Sequence, residues 1–457
     1  MSNATAKDLF LRIKTYLSDD AIKKVVTYSF FGLLPILSGF ILTPFYTRFL
    51  SQEEYGELSY FNILQGYAAL IVILGIDASV SRYYFEFKRN DRVLKEMFAS
   101  AFQFMLFFSF LACCAVFFIK SFLNHDIPDT IYMAIIGTTL FTVIVVTFIN
   151  YHRDNQNLNK FIVYSVLLFV IMSISSLSGI LFISKDAEGC IYGRLLGMLL
   201  LALGVATINY RFFFQKFSVK LFTKLMLFGL PFIPYSAIGA IYDSFDRFMI
   251  EKIFTLKDLA IYNIAFVIAF LINVVVNSLM QTYNPKIFSA LNESKAEKER
   301  SVPAIIGLRK NMFIIICACV ILLSLLCYPL IYIFAGESYL ASVKYVPLIA
   351  FSFILRLYFT VYAAPLFYYK KSVLLSFIIG IAMLVFLVVF LLLKNNMGLF
   401  SVPAALICSR SVQIAITYLL IKKANYDFDF DTGIRHKLSF ITGLVCIGLT
   451  FLYLYNT

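Results

Sequence analysis

The chain has 457 residues, of which 61% are hydrophobic and 14% charged, and its mean hydropathy is +0.85. This composition is far too apolar for a soluble domain. The net charge of +13 would suggest a nucleic-acid partner in a soluble chain, but in a membrane protein basic residues first mark topology, so no nucleic-acid partner is expected. We therefore predict an all-α, polytopic integral membrane protein.

Apolar runs of about 20 residues, the length that crosses a bilayer, recur along the chain. The first six lie near 25–46, 57–80, 97–119, 131–150, 161–183 and 189–211. The next six lie near 225–250, 259–283, 304–333, 343–368, 372–393 and 399–421, with one more near 437–455. The pattern predicts an amphipathic N-terminal segment (1–24), an N-lobe (25–215), a C-lobe (216–423) and a C-terminal extension (424–457) with an additional transmembrane helix.

Lysine and arginine are distributed unevenly between alternate connecting segments. If the amino terminus is cytoplasmic, most of them fall inside, and the outside segments hold only Arg48, Lys120, Lys185, Lys252, Lys257, Lys344 and Lys394. Cytoplasmic loops carry an excess of basic residues. The bias predicts a cytoplasmic amino terminus.

The run 225–250 combines membrane length with residues that are unusual in a span. Pro231 and Pro234 lie in its first third, where proline bends a helix. Asp243, Asp246 and Arg247 crowd its far end, and Asp243 and Arg247 are spaced to pair on one helix face. We predict a broken, cavity-lining helix here, with a packing kink and a surface ion pair as the alternative.

A similar pattern occurs near the start of the chain. Pro35 precedes Arg48 by the same interval that separates Pro234 from Arg247. Two similar helices would then open the two halves of the molecule.

Arg356 and Arg410 lie near the middle of their predicted spans, where a charge is costly. Each continues a polar stripe, one formed by Ser352 and Thr360 and the other by residues that include Gln413. Further mid-span amides are Gln65, Asn273 and Asn277. These amides are candidates for sugar binding, and interhelical hydrogen bonding is the alternative.

The arginines need either buried acids or an anionic ligand. Asp77 lies near a cytoplasmic end, and Asp243 and Asp246 lie near the far end of their helix, so no acid is expected at the depth of the arginines. A salt bridge stays open as an alternative. The unpaired charges favour an anion such as phosphate, which the guanidinium fork suits.

Two segments resemble a known family. TPFYTRFLSQEEYGELSYFNIL, followed by LGIDASVSRYY, and later FGLPFIPYSAIGAIYDSFDRFMI resemble bacterial polysaccharide flippases of the Wzx type, in the multidrug, oligosaccharidyl-lipid and polysaccharide (MOP) exporter superfamily. The likeness rests on scattered residues, namely Pro35, Pro44, Arg48, Tyr55, Gly56, Gly75, Asp77, Arg82, Gly229, Pro231, Asp246, Arg247 and Tyr262. The chain departs from the family pattern in its additional last span.

The resemblance implies about twelve core helices in two six-helix lobes with a MATE-like V-shaped cavity, working by alternating access. It implies a bacterial inner-membrane protein that moves undecaprenyl-diphosphate-linked oligosaccharides for O-antigen or capsule synthesis. Its partners would be this lipid-linked substrate, membrane lipids, and a polysaccharide polymerase and chain-length regulator.

The site residues expected on these grounds fall into two groups. Those for diphosphate and sugar are Arg356, Arg410, Arg48, Arg247, Gln65, Asn273, Asn277 and Gln413. Those for ion coupling or gating are Asp77, Asp243, Asp246, Pro35, Pro231 and Pro234. No cofactor or metal is expected, and H⁺ or Na⁺ is the candidate coupling ion.

Two other functions stay open. A multidrug exporter of the same superfamily would bind cations and should place a carboxylate at the cavity centre. A membrane polymerase or glycosyltransferase would need a sizeable extramembrane loop or an acidic motif, and neither is apparent in the sequence. We therefore expect a transporter and not an enzyme.

Overall fold

The computed structural model describes residues 20–119, 128–230, 233–292, 295–369, 371–423 and 436–456, and within them the chain is helical with no strand. The first seven helices are α1 (Asp20–Phe49), α2 (Gln52–Ile73), α3 (Ile76–Phe87), α4 (Asp91–Ile119), α5 (Asp129–Asp154), α6 (Leu158–Phe182) and α7 (Ala187–Ile208). The remaining eight are α8 (Val219–Gly229), α9 (Ile233–Ile253), α10 (Leu256–Asn292), α11 (Lys295–Ala335), α12 (Val346–Tyr368), α13 (Ser372–Met397), α14 (Ser401–Lys423) and α15 (His436–Asn456). The predicted segment 1–24 lies mostly outside the described residues.

Most of these helices have membrane length. Only α3 and α8, with 12 and 11 residues, are short among the described α-helices, and each of the others overlaps one predicted span. By length and composition nine described helical segments can cross a membrane, or ten if α8 and α9 count as one span, and one of the nine (residues 373–423) contains both α13 and α14. The prediction of an all-α, multi-pass membrane protein is confirmed.

The predicted span 57–80 is interrupted. Helix α2 ends at Ile73, and Gly75 has a left-handed backbone (φ 72°) that starts a new helix, α3. Glycine adopts this conformation without steric cost. Asp77 therefore lies in the first turn of α3 and not within the preceding span.

The predicted span 225–250 is two helices. Helix α8 ends at Gly229 and α9 begins at Ile233, and Pro231 lies in the undescribed gap between them. Pro234 lies in the first turn of α9, where its missing N–H has no helical partner to lose. By contrast, α1 continues as a helix through Pro35.

The chain forms two compact units. The first comprises the described residues of Met1–Leu42 and Ala68–Leu230. Aromatic rings fill its core: Phe102 stacks on Phe213, with 4.4 Å between the ring centroids, and on Phe148 at 5.5 Å. Helices α6 and α7 cross closely at Gly179, where an added Cβ would lie only 2.1 Å from the carbonyl oxygen of Gly189.

The second unit comprises Thr43–Tyr67 and the described residues of Pro231–Thr457. Helix α2 packs tightly onto the start of α10, since a Cβ on Gly56 would lie 2.0 Å from the carbonyl oxygen of Leu256. Tyr55 on α2 also accepts a hydrogen bond from the amide of Asn263 on α10 (3.1 Å). The last helix, α15, packs on α11 and α12.

These units differ in membership from the predicted lobes at two places. Residues 43–67 group with the second unit, and residues 216–230 group with the first. The division into an N-lobe and a C-lobe stays a prediction.

Candidate functional site

The second unit contains a cavity of about 280 Å³ between helices α9, α12, α13 and α14. Its apolar wall includes Phe359 and Ile379, and the small residues Gly239 and Ala240 on α9 leave space for the cavity. Its polar lining consists of Tyr235, Ser236, Tyr242, Asp243, Arg356, Thr360, Arg410 and Gln413. Two arginines, one aspartate and one amide of the predicted site therefore line one cavity.

Asp243 and Arg356 form an ion pair across this cavity. Nη1 of Arg356 donates to Oδ1 of Asp243, and Nη2 donates to Oδ2 at 3.0 Å. This is the two-pronged geometry in which a guanidinium recognises a carboxylate most strongly. The expectation that no acid shares the depth of the arginines is wrong.

The position of the helix start explains the error. Because α9 begins at Ile233 and not near residue 225, Asp243 lies about 15 Å along its helix at 1.5 Å per residue. Arg356 lies at a similar height in α12, which begins at Val346. The break in the chain thus brings Asp243 level with Arg356.

Arg410 is held differently from Arg356. Its side chain is buried, with 4% of the residue exposed, and Nη1 donates to the carbonyl oxygen of Ser352 (2.6 Å) and to its Oγ (2.9 Å). The guanidinium carbon lies 5.0 Å from the centroid of the Phe353 ring, a favourable position for a cation. No carboxylate of the described residues forms an ion pair with Arg410.

The lining therefore has an excess of positive charge. Asp243 pairs with Arg356, and no carboxylate of the described residues lies within ion-pair distance of Arg410. A buried cation is costly unless an anion accompanies it. The cavity is suited to a ligand that carries negative charge.

The polar stripes predicted on α12 and α14 are brought together. Thr360 lies one turn beyond Arg356, and Gln413 one turn beyond Arg410, and all four line the cavity. Ser409, which precedes Arg410 in α14, forms a hydrogen bond with the Tyr242 hydroxyl of α9 (2.8 Å). The stripe on α12 thus has two roles: Ser352 accepts the hydrogen bonds of Arg410, and Arg356 lines the cavity.

Asp246 and Arg247 belong to a separate, packed network. Asp246, with 3% exposed, accepts a hydrogen bond from the Tyr262 hydroxyl (3.0 Å) and lies 3.5 Å from Nε of Arg247. The Arg247 guanidinium stacks on Phe266 at 3.7 Å and donates to the backbone oxygen of Asp243 (2.9 Å). The predicted pairing of Arg247 with the Asp243 carboxylate is therefore wrong, since that carboxylate is bound by Arg356.

Besides Arg247, four predicted ligand residues lie outside the cavity lining. Arg48 at the end of α1 is exposed, Gln65 on α2 is half-buried, and Asn277 on α10 is exposed. Asn273 is buried, and its Oδ1 has no hydrogen-bond partner in the described part of the chain. The cavity does not gather these four side chains.

Asp77 belongs to the first unit. Its side chain is exposed. It also lines a small space of about 10 Å³, which has room for about one water molecule, together with Tyr84, Tyr151 and Asp154. Within the described residues no group of three histidine, cysteine or acidic side chains is arranged to hold a metal ion.

Tyr235 and Tyr242 are lining residues that the sequence reading did not single out. They share a helix face with Asp243, because positions 235, 239 and 242 or 243 recur at helical spacing. A helical wheel of this segment places these positions on one face.

Comparisons with known proteins agree with this architecture. The family described as "Polysaccharide biosynthesis protein" matches residues 21–291. Protein 1 of the Lsg locus of Haemophilus influenzae is 22% identical over 284 residues, which is 60% of this chain and 67% of that protein.

Two solved structures share the fold. Lipid II flippase MurJ, in an inward closed conformation, superposes with a TM-score of 0.66 at 12% identity, covering 93% of this chain and 97% of that one. A multidrug resistance MATE family transporter of the MOP superfamily, in its inward-facing conformation, gives 0.61 at 16% identity, covering 86% and 94%. At this identity the likeness establishes the fold.

Proposed function

This chain belongs to the polysaccharide biosynthesis protein family, and we propose that it is a flippase for undecaprenyl-diphosphate-linked oligosaccharide repeat units. It would move these units across the bacterial cytoplasmic membrane, with its amino terminus inside, for the synthesis of O-antigen or capsular polysaccharide. The transport step would be alternating access.

The observation that carries the proposal is the environment of Arg410. A buried guanidinium at mid-helix lines a cavity and lacks a carboxylate partner among the described residues. A diphosphate supplies the missing negative charge, and Arg binds phosphate through its planar fork. Gln413, Tyr235 and Thr360 add hydrogen-bonding groups beside it, which suit sugar hydroxyls.

The charge of the lining disfavours export of cationic drugs. Such a cargo needs a free carboxylate, but Asp243 is bound by Arg356, and the lining as a whole has one positive charge in excess. A cationic cargo that entered the cavity would be repelled by the positive charge of Arg410. An anionic cargo meets no such barrier.

The driving force is part of the same proposal. Asp77 and Asp243 are the acidic side chains we propose for coupling to H⁺ or Na⁺, one in each unit. A polysaccharide polymerase and a chain-length regulator would use the product on the outer face.

The leaflet in which lipid-linked repeat units accumulate tests the proposal. In cells that lack this protein, the units should collect in the cytoplasmic leaflet, where sugar-modifying reagents outside the membrane do not reach them. Restoring the gene should move them to the periplasmic leaflet. Unpolymerised units in the periplasmic leaflet of the deletion strain would instead indicate a polymerase.

A further inference from the structure

The two arginines of the cavity differ in how strongly the protein holds them. Arg410 is 4% exposed and donates hydrogen bonds to Ser352. The side chains of the Asp243 and Arg356 pair are 44% and 26% exposed, so both face the open cavity. An ion pair that faces an open cavity is held less firmly than one in a dry interior, because solvation can replace part of the attraction between its partners.

An exposed pair of this kind can exchange partners. The two Asp243 oxygens contact the two terminal nitrogens of Arg356, which is also how a phosphate would bind it. A phosphate that replaced the carboxylate would leave Asp243 facing the cavity, where water can solvate it. Breaking the pair is therefore far cheaper than stripping a carboxylate from a dry interior.

We infer that Arg356 is a second phosphate-binding position that Asp243 occupies in the empty cavity, so that the site selects ligands with two negative charges. A singly charged ligand is satisfied at Arg410 and leaves the Asp243 pair intact. A ligand with a second anionic group displaces Asp243 and binds Arg356 as well. This inference rests on the proposed anion-binding role of Arg410.

The test uses the purified full-length protein and two soluble probes. Dimethyl phosphate carries one negative charge, and a dimethyl diphosphate with one methyl group on each phosphate carries two. Binding is measured by calorimetry for the parent and for the double variant Asp243→Asn/Arg356→Gln. The double variant removes both charged members of the pair, keeps the net charge of the lining, and leaves neither member without the other.

The double variant should bind dimethyl phosphate as the parent does. Its affinity for the diphosphate should fall about tenfold, the loss expected for one hydrogen-bonded charge contact. The single variant Asp243→Asn, which frees Arg356, should bind the diphosphate more tightly than the parent. Asp91→Asn, which breaks the exposed pair with Lys95 outside the cavity lining, is the matched control and should change neither affinity.

The outcomes separate this inference from the proposed function. If the double variant binds the diphosphate as tightly as the parent while Arg410→Gln binds neither probe, the second position does not exist and the anion site at Arg410 stands. If Arg410→Gln binds both probes like the parent, or the parent binds neither, the anion site itself is refuted, and this inference falls with it.

Discussion

Replacing Arg410 with glutamine removes a charge from the cavity and keeps a polar side chain of similar reach. The hydrogen bond between a charged group and its ligand contributes about 1.5 to 3 kcal/mol, so affinity for a diphosphate ligand should fall by about tenfold to a hundredfold. Arg410→Lys should recover only part of this loss, because an ammonium lacks the planar fork. Export of lipid-linked sugars should decrease accordingly.

The same substitution should have little effect on folding. It loses the two hydrogen bonds that the charged Arg410 donates to Ser352, about 1.5 to 3 kcal/mol each, and the contact with the Phe353 ring, about 0.5 to 2 kcal/mol. It also removes the cost of burying a charge without a counter-ion, which is several kcal/mol per ion. The opposing effects should leave the free energy of unfolding within about 2 kcal/mol of the parent value.

The assay measures thermal stability and export in parallel for the parent, Arg410→Gln and Arg410→Lys. A stable glutamine variant that exports poorly is the expected result. Normal export by a stable glutamine variant would refute the anion site. Loss of folding in proportion to loss of export would show that Arg410 has a structural role.

Three other outcomes are expected. Arg247→Gln should lower the free energy of unfolding by about 3 to 5 kcal/mol in chemical denaturation, because it leaves the buried Asp246 unpaired; a change below 1 kcal/mol would contradict this structural role. Gly56→Ala should destabilise the protein by about 1 to 3 kcal/mol in the same measurement, since its Cβ would overlap the Leu256 carbonyl, whereas Gly66→Ala on the same helix has open space and is the control. Reporters active only outside the cytoplasm should give a signal when fused near residues 126, 186 and 336 and no signal when fused near 90, 155, 295 and 429. A reversal at any of these positions would contradict the predicted topology.

The pattern of apolar runs was sufficient to predict the helices. Membrane-length runs are set by bilayer thickness, and each predicted span overlaps a long helix of the described residues, although 57–80 and 225–250 are each divided into two helices. The polar stripes on α12 and α14 were also predictable, because mid-span Arg356 and Arg410 need a polar surface. Arg356 and Thr360 of one stripe do line the same cavity as Arg410 and Gln413 of the other.

The pairing within that cavity could not be predicted from the sequence. The apolar pattern continues across the break before Ile233, so counting from residue 225 placed Asp243 too far along its helix. Which carboxylate faces which guanidinium depends on the rotation of α9 against α12, and packing decides that rotation. The same limit explains why Asn277 and Arg48 were assigned to a site whose lining does not include them.

Transport by the purified protein tests the central claim most directly. Vesicles would carry an undecaprenyl-diphosphate-linked oligosaccharide in both leaflets, and a membrane-impermeant sugar-oxidising enzyme would report the fraction exposed outside. With the parent protein the inner pool should become accessible over time, whereas with Arg410→Gln it should become accessible about tenfold to a hundredfold more slowly. An inner pool that stays protected in the presence of folded parent protein would contradict the proposed flippase function.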